Sequence, residues 1–193
     1  AGDCLRGILM RGFTTVRDAA GADLGHKQAV EQGLVIGPRL FVCGRAISQT
    51  GGHGDGRNRA DLVDFCPCVH VINGTCRVAD GVTEVRKAIR DEIRLGAESI
   101  KINAGGGVAS ASDPIDQLQY SMDELNAAVD EATRSHIYVL AHVYTDAGIK
   151  RCLEAGIRTI EHGNFLEPDT AAHMAASGTY LVPTLVTYRA LKK

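Results

Sequence analysis

Three polar residues stand where apolar runs stop in this chain. Lys101 lies in Ile100-Lys101-Ile102-Asn103, His142 follows Val139-Leu140-Ala141, and His162 follows Thr159-Ile160-Glu161. Successive side chains on a strand face opposite ways, so Lys101 projects alone between two isoleucines. A buried ammonium is costly unless it has a partner or a task. Three readings fit it: an ion pair, the nucleophile of a Schiff-base aldolase, or a lysine carboxylated by carbon dioxide, whose two oxygens bridge two divalent metals. Two histidines on later strand ends favour the metal reading. Neutral imidazole suits zinc, and a carboxylate-like bridge suits a paired site. Lys101, His142 and His162 are therefore expected to converge as metal ligands and catalytic groups. Glu161 precedes His162, so it is expected to face the opposite way and to stay out of the ligand set.

Other residues are weaker candidates. His53 sits in Gly51-Gly52-His53-Gly54-Asp55-Gly56, where glycines let backbone approach a ligand closely, and is read as a substrate contact. Ala104-Gly105-Gly106-Gly107 follows the lysine strand but lacks the Gly-Lys-Ser/Thr ending of a phosphate loop, so it is read as a frame for substrate. Cys66-Pro67-Cys68 with Cys76 and His70 is not a common zinc spacing. The six cysteines are read as reduced thiols, which suggests a cytoplasmic protein. His26, His70, His136 and His173 are read as surface or structural.

These residues need strands to hold them. A helix, a glycine and a short apolar strand recur: Arg11-Gly12 before Phe13, Leu95-Gly96 before the run to Ile102, Ala155-Gly156 before Ile157, and Ser177-Gly178 before Thr179. Glycine suits the position just past a helix end. Strands are predicted near 13–17, 40–43, 98–102, 137–142, 157–161 and 180–185. Helices are predicted over about 82–95 with Thr83 as N-cap, from a capping box at Ser121-Met122-Asp123-Glu124, from Thr145, and from Pro168. Strands alternating with helices mean a parallel sheet. Residues 44–81 read as one extended active-site loop. The expected fold is α/β, a partial (β/α)8 TIM-type barrel of about six βα units. Its first and last strands are expected to be missing, with residues 1–193 an internal part of one barrel domain.

Bulk properties narrow the function. A formal net charge of -2 without a basic block argues against nucleic acid. No apolar stretch approaches the ~20 residues that span a bilayer. A hydrophobic share of 45% argues for a packed core rather than disorder.

Five segments together resemble the amidohydrolase superfamily: Gly12-Phe13-Thr14-Thr15-Val16-Arg17-Asp18, Gly51-Gly52-His53-Gly54-Asp55, Ile100-Lys101-Ile102, Ala141-His142-Val143-Tyr144-Thr145 and Thr159-Ile160-Glu161-His162-Gly163. Within it they are similar to the imidazolonepropionase-related branch with Xaa-Pro and Xaa-Arg dipeptidases. The resemblance implies a carboxylated Lys101 bridging two zinc ions, with His142 and His162 on the second zinc. It implies a Tyr144 that helps bind a substrate carboxylate, and Arg17 is a candidate for the accompanying cation. The family pattern also requires a His-x-His pair on the first strand and an Asp on the last, neither of which is in this sequence. The expected function is hydrolysis, by a metal-bound hydroxide, of an amide next to a free carboxylate, in a dipeptide or N-acyl amino acid. The alternatives are the Schiff-base aldolase and an inactive barrel fragment. A homo-oligomer acting on a small molecule, with neither nucleic acid nor membrane as partner, is the expected assembly.

Overall fold

Strand and helix alternate along the chain for local reasons. The computed structural model describes residues 1–57, 59–60, 75–108, 110 and 113–191. In order the elements are α1 (Gly2–Met10), β1 (Thr15–Arg17), α2 (Leu24–Glu31), β2 (Arg39–Phe41), β3 (Ala46–Ser48), β4 (Cys76–Val78), α3 (Gly81–Arg94), β5 (Ile100–Asn103), α4 (Met122–Arg134), β6 (Val139–Thr145), α5 (Asp146–Glu154), β7 (Thr159–Phe165), α6 (Pro168–Ser177), β8 (Tyr180–Val182) and α7 (Leu185–Leu191). Ser121 caps α4 through a reciprocal box with Glu124, and the Thr145 side chain accepts from Gly148 at the start of α5. Thr83 is not a cap. Helix α3 begins two residues earlier, flanked by Asp80, because Gly81 at φ +75° turns the chain into it.

Six strands form one parallel sheet in the order β4-β3-β5-β6-β7-β8, and β1 and β2 pair in a separate parallel ladder. The expectation of about six βα units is corrected at residues 44–81. That segment contributes β3 and β4, which pair through Ala46 with Cys76 and Ser48 with Val78. At three residues each they are too short for hydrophobic periodicity to reveal them. The six-stranded sheet is open, with β4 and β8 at its edges. The two ladders are tied by the Glu98 N–H donating to Val42 O at 2.8 Å. Arg17 of β1 also bonds Glu161 of β7, so the ladders face one interior.

The other face of the sheet is the core. Ile100, Ile102, Ala141, Val143 and Ile160 are buried and pack against Val85, Ala88 and Ile89 of α3, Leu125 and Ala128 of α4, and Ile149 and Cys152 of α5. Each such aliphatic side chain contributes roughly 1.5–3 kcal/mol of burial. That packing fixes the strands from behind and leaves alternate residues free to serve the interior. Among the described residues no helix is long and apolar enough to cross a membrane.

Candidate functional site

The ladder register assembles the interior. Asn103 of β5 lies beside His142 of β6, and His142 beside Glu161 of β7. Alternation therefore directs Lys101 and Asn103, then Leu140, His142 and Tyr144, then Thr159 and Glu161 to one side. On the same count His162, which pairs with Val143, should point away into the helix layer. It does not. His162 has φ +77° and Gly163 φ +60°, and the register with β6 shifts at this level. The left-handed turn swings the imidazole back to the interior, where its ring lies 4.6 Å from that of His142 and stacks 5.0 Å from that of Tyr144. The expectation that Glu161 and His162 face opposite ways is thereby corrected. Both act on the Lys101 environment, because the β alternation is broken between them.

Lys101 is only 6% exposed, and among the described residues its amine has no hydrogen bond or ion pair. Burial pushes its pKa down to about 8, opposed by the charge of Glu161. Its surroundings also include the thiols of Cys43 and Cys76. His142 is held near pKa 2, first by burial and then by the neighbouring His53. His162 is held near 4, again by burial first and then by the charge of Lys101. Both rings are neutral near pH 7.

Each of these imidazoles commits one nitrogen to the protein. His142 Nε2 bonds the carbonyl of Gly106 at 2.9 Å, and His162 Nδ1 bonds the Thr184 hydroxyl at 2.7 Å. That leaves His142 Nδ1 and His162 Nε2. The Gly106 carbonyl only accepts, so His142 carries its proton on Nε2 and presents the Nδ1 lone pair; the Thr184 hydroxyl can accept from His162 Nδ1, which would free the Nε2 lone pair in the same way, as in metal-binding histidines. Among the described residues no group of three or more His, Cys, Asp or Glu side chains is arranged to hold a metal ion. Lys101 is the neighbouring side chain whose chemistry could add a further donor beside His142 and His162. A partnerless amine with a lowered pKa is the form of lysine that reacts with carbon dioxide, and the resulting carbamate carries the oxygens a metal wants. The donor chemistry fits zinc on those terms.

His53 enters the same cluster. Its ring stacks on His142 at 4.0 Å with the planes 10° apart. Its Nδ1 lies 3.2 Å from Asp113 Oδ2, and its backbone N–H donates to Gln119 Oε1 at 3.0 Å. Two glycine-rich segments meet here. A Cβ on Gly107 would fall 2.1 Å from the His53 ring, and one on Gly52 would fall 2.6 Å from Gln119 Oε1. Tyr144 is buried beneath His162, with burial and the neighbouring Tyr188, whose ring lies 6.5 Å away, raising its pKa and the Val108 backbone opposing them.

Arg17 does not stand at the mouth as a free cation. Its guanidinium donates to Glu161 Oε1 at 2.8 Å and Thr159 Oγ1 at 3.1 Å, and Thr159 is the first residue of β7. The group is spent below the histidine layer, neutralising a buried glutamate. Sequence reasoning overlooked Asp113, Gln119, Thr184 and Tyr188. All four lie in loops or in the short last helix, and only the Asp113-Pro114 turn left a local signal. Cys66, Cys68 and His70, the weak zinc alternative, lie outside the described residues.

Comparison with known proteins gives a consistent set. The profile of the Amidohydrolase family matches residues 4–193. Ochratoxinase from Aspergillus niger is 35% identical over 190 residues, covering 91% of this chain and 38% of that protein. A crystal structure of a prolidase complexed with N-methylphosphonate-L-proline superposes with a TM-score of 0.95 at 54% identity, over 98% of this chain and 47% of that one. A Xaa-Pro dipeptidase with bound methionine superposes with a TM-score of 0.78 at 34% identity, over 91% and 43%. The chain spans less than half the length of each of these relatives.

Proposed function

The chain belongs to the amidohydrolase family, and on that premise we propose that the intact protein is a zinc-dependent hydrolase. Its substrate class is an amide next to a free carboxylate, in a dipeptide or an N-acyl amino acid. The observation that carries this reading is the buried Lys101 amine beside two neutral imidazoles, the amine without a hydrogen bond or ion pair and each imidazole with one uncommitted nitrogen among the described residues. Support for the substrate class comes from the matched prolidase, complexed with a phosphonate carried on proline, and from the matched Xaa-Pro dipeptidase.

In this reading residues 1–193 are part of one (β/α)8 barrel domain, and the remaining metal ligands lie outside this sequence. Lys101, as its carbamate, would help to hold the zinc, and His142 through Nδ1 with His162 through Nε2 would complete this chain's share of the ligands. Bound zinc lowers the pKa of water and polarises a carbonyl. The chain's own residues do the rest. Tyr144 binds the substrate carboxylate, His53 contacts the scissile group, and the two glycine segments let substrate lie close to backbone. The Arg17–Glu161 pair keeps the floor neutral beneath them.

Zinc analysis of the intact protein, together with a panel of dipeptides and N-acyl amino acids, tests the reading. Lys101→Ala should lose zinc and turnover together, because the side chain helps to hold the metal. Stoichiometric zinc retained by Lys101→Ala would sink the ligand role. A zinc-free wild type whose Lys101 is trapped by a carbonyl compound and borohydride would hand the site to Schiff-base chemistry instead.

A further inference from the structure

We propose that Asp113 is a positioning residue for His53: it holds the Nδ1 edge of the ring so that Nε2 is the nitrogen presented to substrate. The inference rests on the hydrolase reading for what Nε2 does, but not for how the ring is held.

Four contacts fix this imidazole. His142 lies against one face at 4.0 Å. Asp113 Oδ2 lies 3.2 Å from Nδ1. Gln119 anchors the backbone N–H of His53 and, through its Nε2, lies 3.5 Å from the same Asp113 oxygen. Gly107 lies so close to the Nδ1 and Cε1 edge that no side chain fits there. Asp113 itself is 1% exposed, and among the described residues its second oxygen has no hydrogen-bond partner. A buried carboxylate is costly, and among the described residues its contacts with His53 and Gln119 are what offset that cost. Among the described residues nothing in the protein bonds His53 Nε2, and the side chain keeps 28% exposure.

An ionised carboxylate accepts hydrogen bonds and donates none. Asp113 therefore selects the ring form that carries its proton on Nδ1, and it fixes the rotation of the ring about Cβ–Cγ. Without it the ring can turn over and present Nδ1, which sits at a different place on the ring edge. Displacing a reacting group by about an ångström is enough to cost roughly 100-fold in rate.

The test uses the intact, zinc-loaded protein with three variants. Asp113→Leu removes the acceptor at similar volume, Asp113→Asn keeps an acceptor oxygen, and Gly107→Ala pushes on the ring without touching the carboxylate. Asp113→Leu and Gly107→Ala should each lower kcat about 10- to 100-fold, the usual size for groups that orient a site imidazole, with KM little changed and zinc content intact. Asp113→Asn should recover most of the loss. Nitrogen-15 spectra of labelled histidine should show His53 protonated at Nδ1 in the wild type and in Asp113→Asn, and a mixture in Asp113→Leu. Turnover within twofold of wild type in Asp113→Leu, or a wild-type ring protonated at Nε2, overturns the proposal. If wild type cleaves none of the amides yet the Nδ1 signal behaves as described, the positioning role stands and the hydrolase reading falls.

Discussion

A hydroxyl that is already bonded inside the protein loses less when removed than one that bonds only substrate. Tyr144 comes near this case, because its hydroxyl feels the Tyr188 side chain and the Val108 backbone beside it. A hydrogen bond to a charged group is worth about 1.5–3 kcal/mol. The lower end applies here, which is about tenfold in kcat/KM. Tyr144→Phe should lose that factor on a substrate with a free C-terminal carboxylate and much less on its amide. Steady-state kinetics on the matched pair decides it, and equal losses would remove Tyr144 from carboxylate recognition. At this scale the sequence was informative where a polar residue interrupts an apolar run, as at Lys101 and His142, although both lie inside their strands rather than at the ends. It misled at Arg17. Type alone cannot say whether a guanidinium at a strand end is free or, as found, bound to a glutamate 144 positions away.

Among the elements, β7 departs most from its pattern. Read by alternation it would offer Glu161 to one side and His162 to the other, and the sequence shows no bulge. The Gly163 that follows is the local sign that the rule fails, because two successive left-handed residues need glycine in at least one place. Gly163→Ala should cost about 1–3 kcal/mol through strain at φ +60°. It also forces Leu181 Cδ1 of β8 to move, since the new Cβ would lie 2.6 Å from it. The expected signs are a lower denaturation midpoint and a lower zinc content as His162 turns. A variant with unchanged stability would mean that the turn carries no strain. The capping box at Ser121 and Glu124 was legible because it closes over three residues, and β5, β6 and β7 were legible because each is an apolar run that follows a helix and its turn. β3 and β4 were not, because at three residues each they carry no period and stand among glycines and polar residues.

For the whole molecule, the alternation of strands with helices was enough to find the parallel sheet, and the lysine and two histidines were enough to expect one interior, while the order of the sheet and its edges at β4 and β8 were not legible. One earlier feature bears on how such a molecule is reached in time. The Arg17–Glu161 bond closes a loop of 144 residues. Bringing such ends together costs on the order of 4 kcal/mol of chain entropy, beyond a constant, by the logarithmic law for loops. β5, β6 and β7 follow one another in sequence and can associate before that cost is met. The β1–β2 ladder then docks late, after the rate-limiting step. An interaction absent from the transition state changes unfolding rather than folding. Stopped-flow measurements on Arg17→Ala in the intact protein should therefore show a faster unfolding arm and an unmoved folding arm. Slowed folding with unchanged unfolding would place the bridge in the nucleus, and the two ladders would then be one cooperative event.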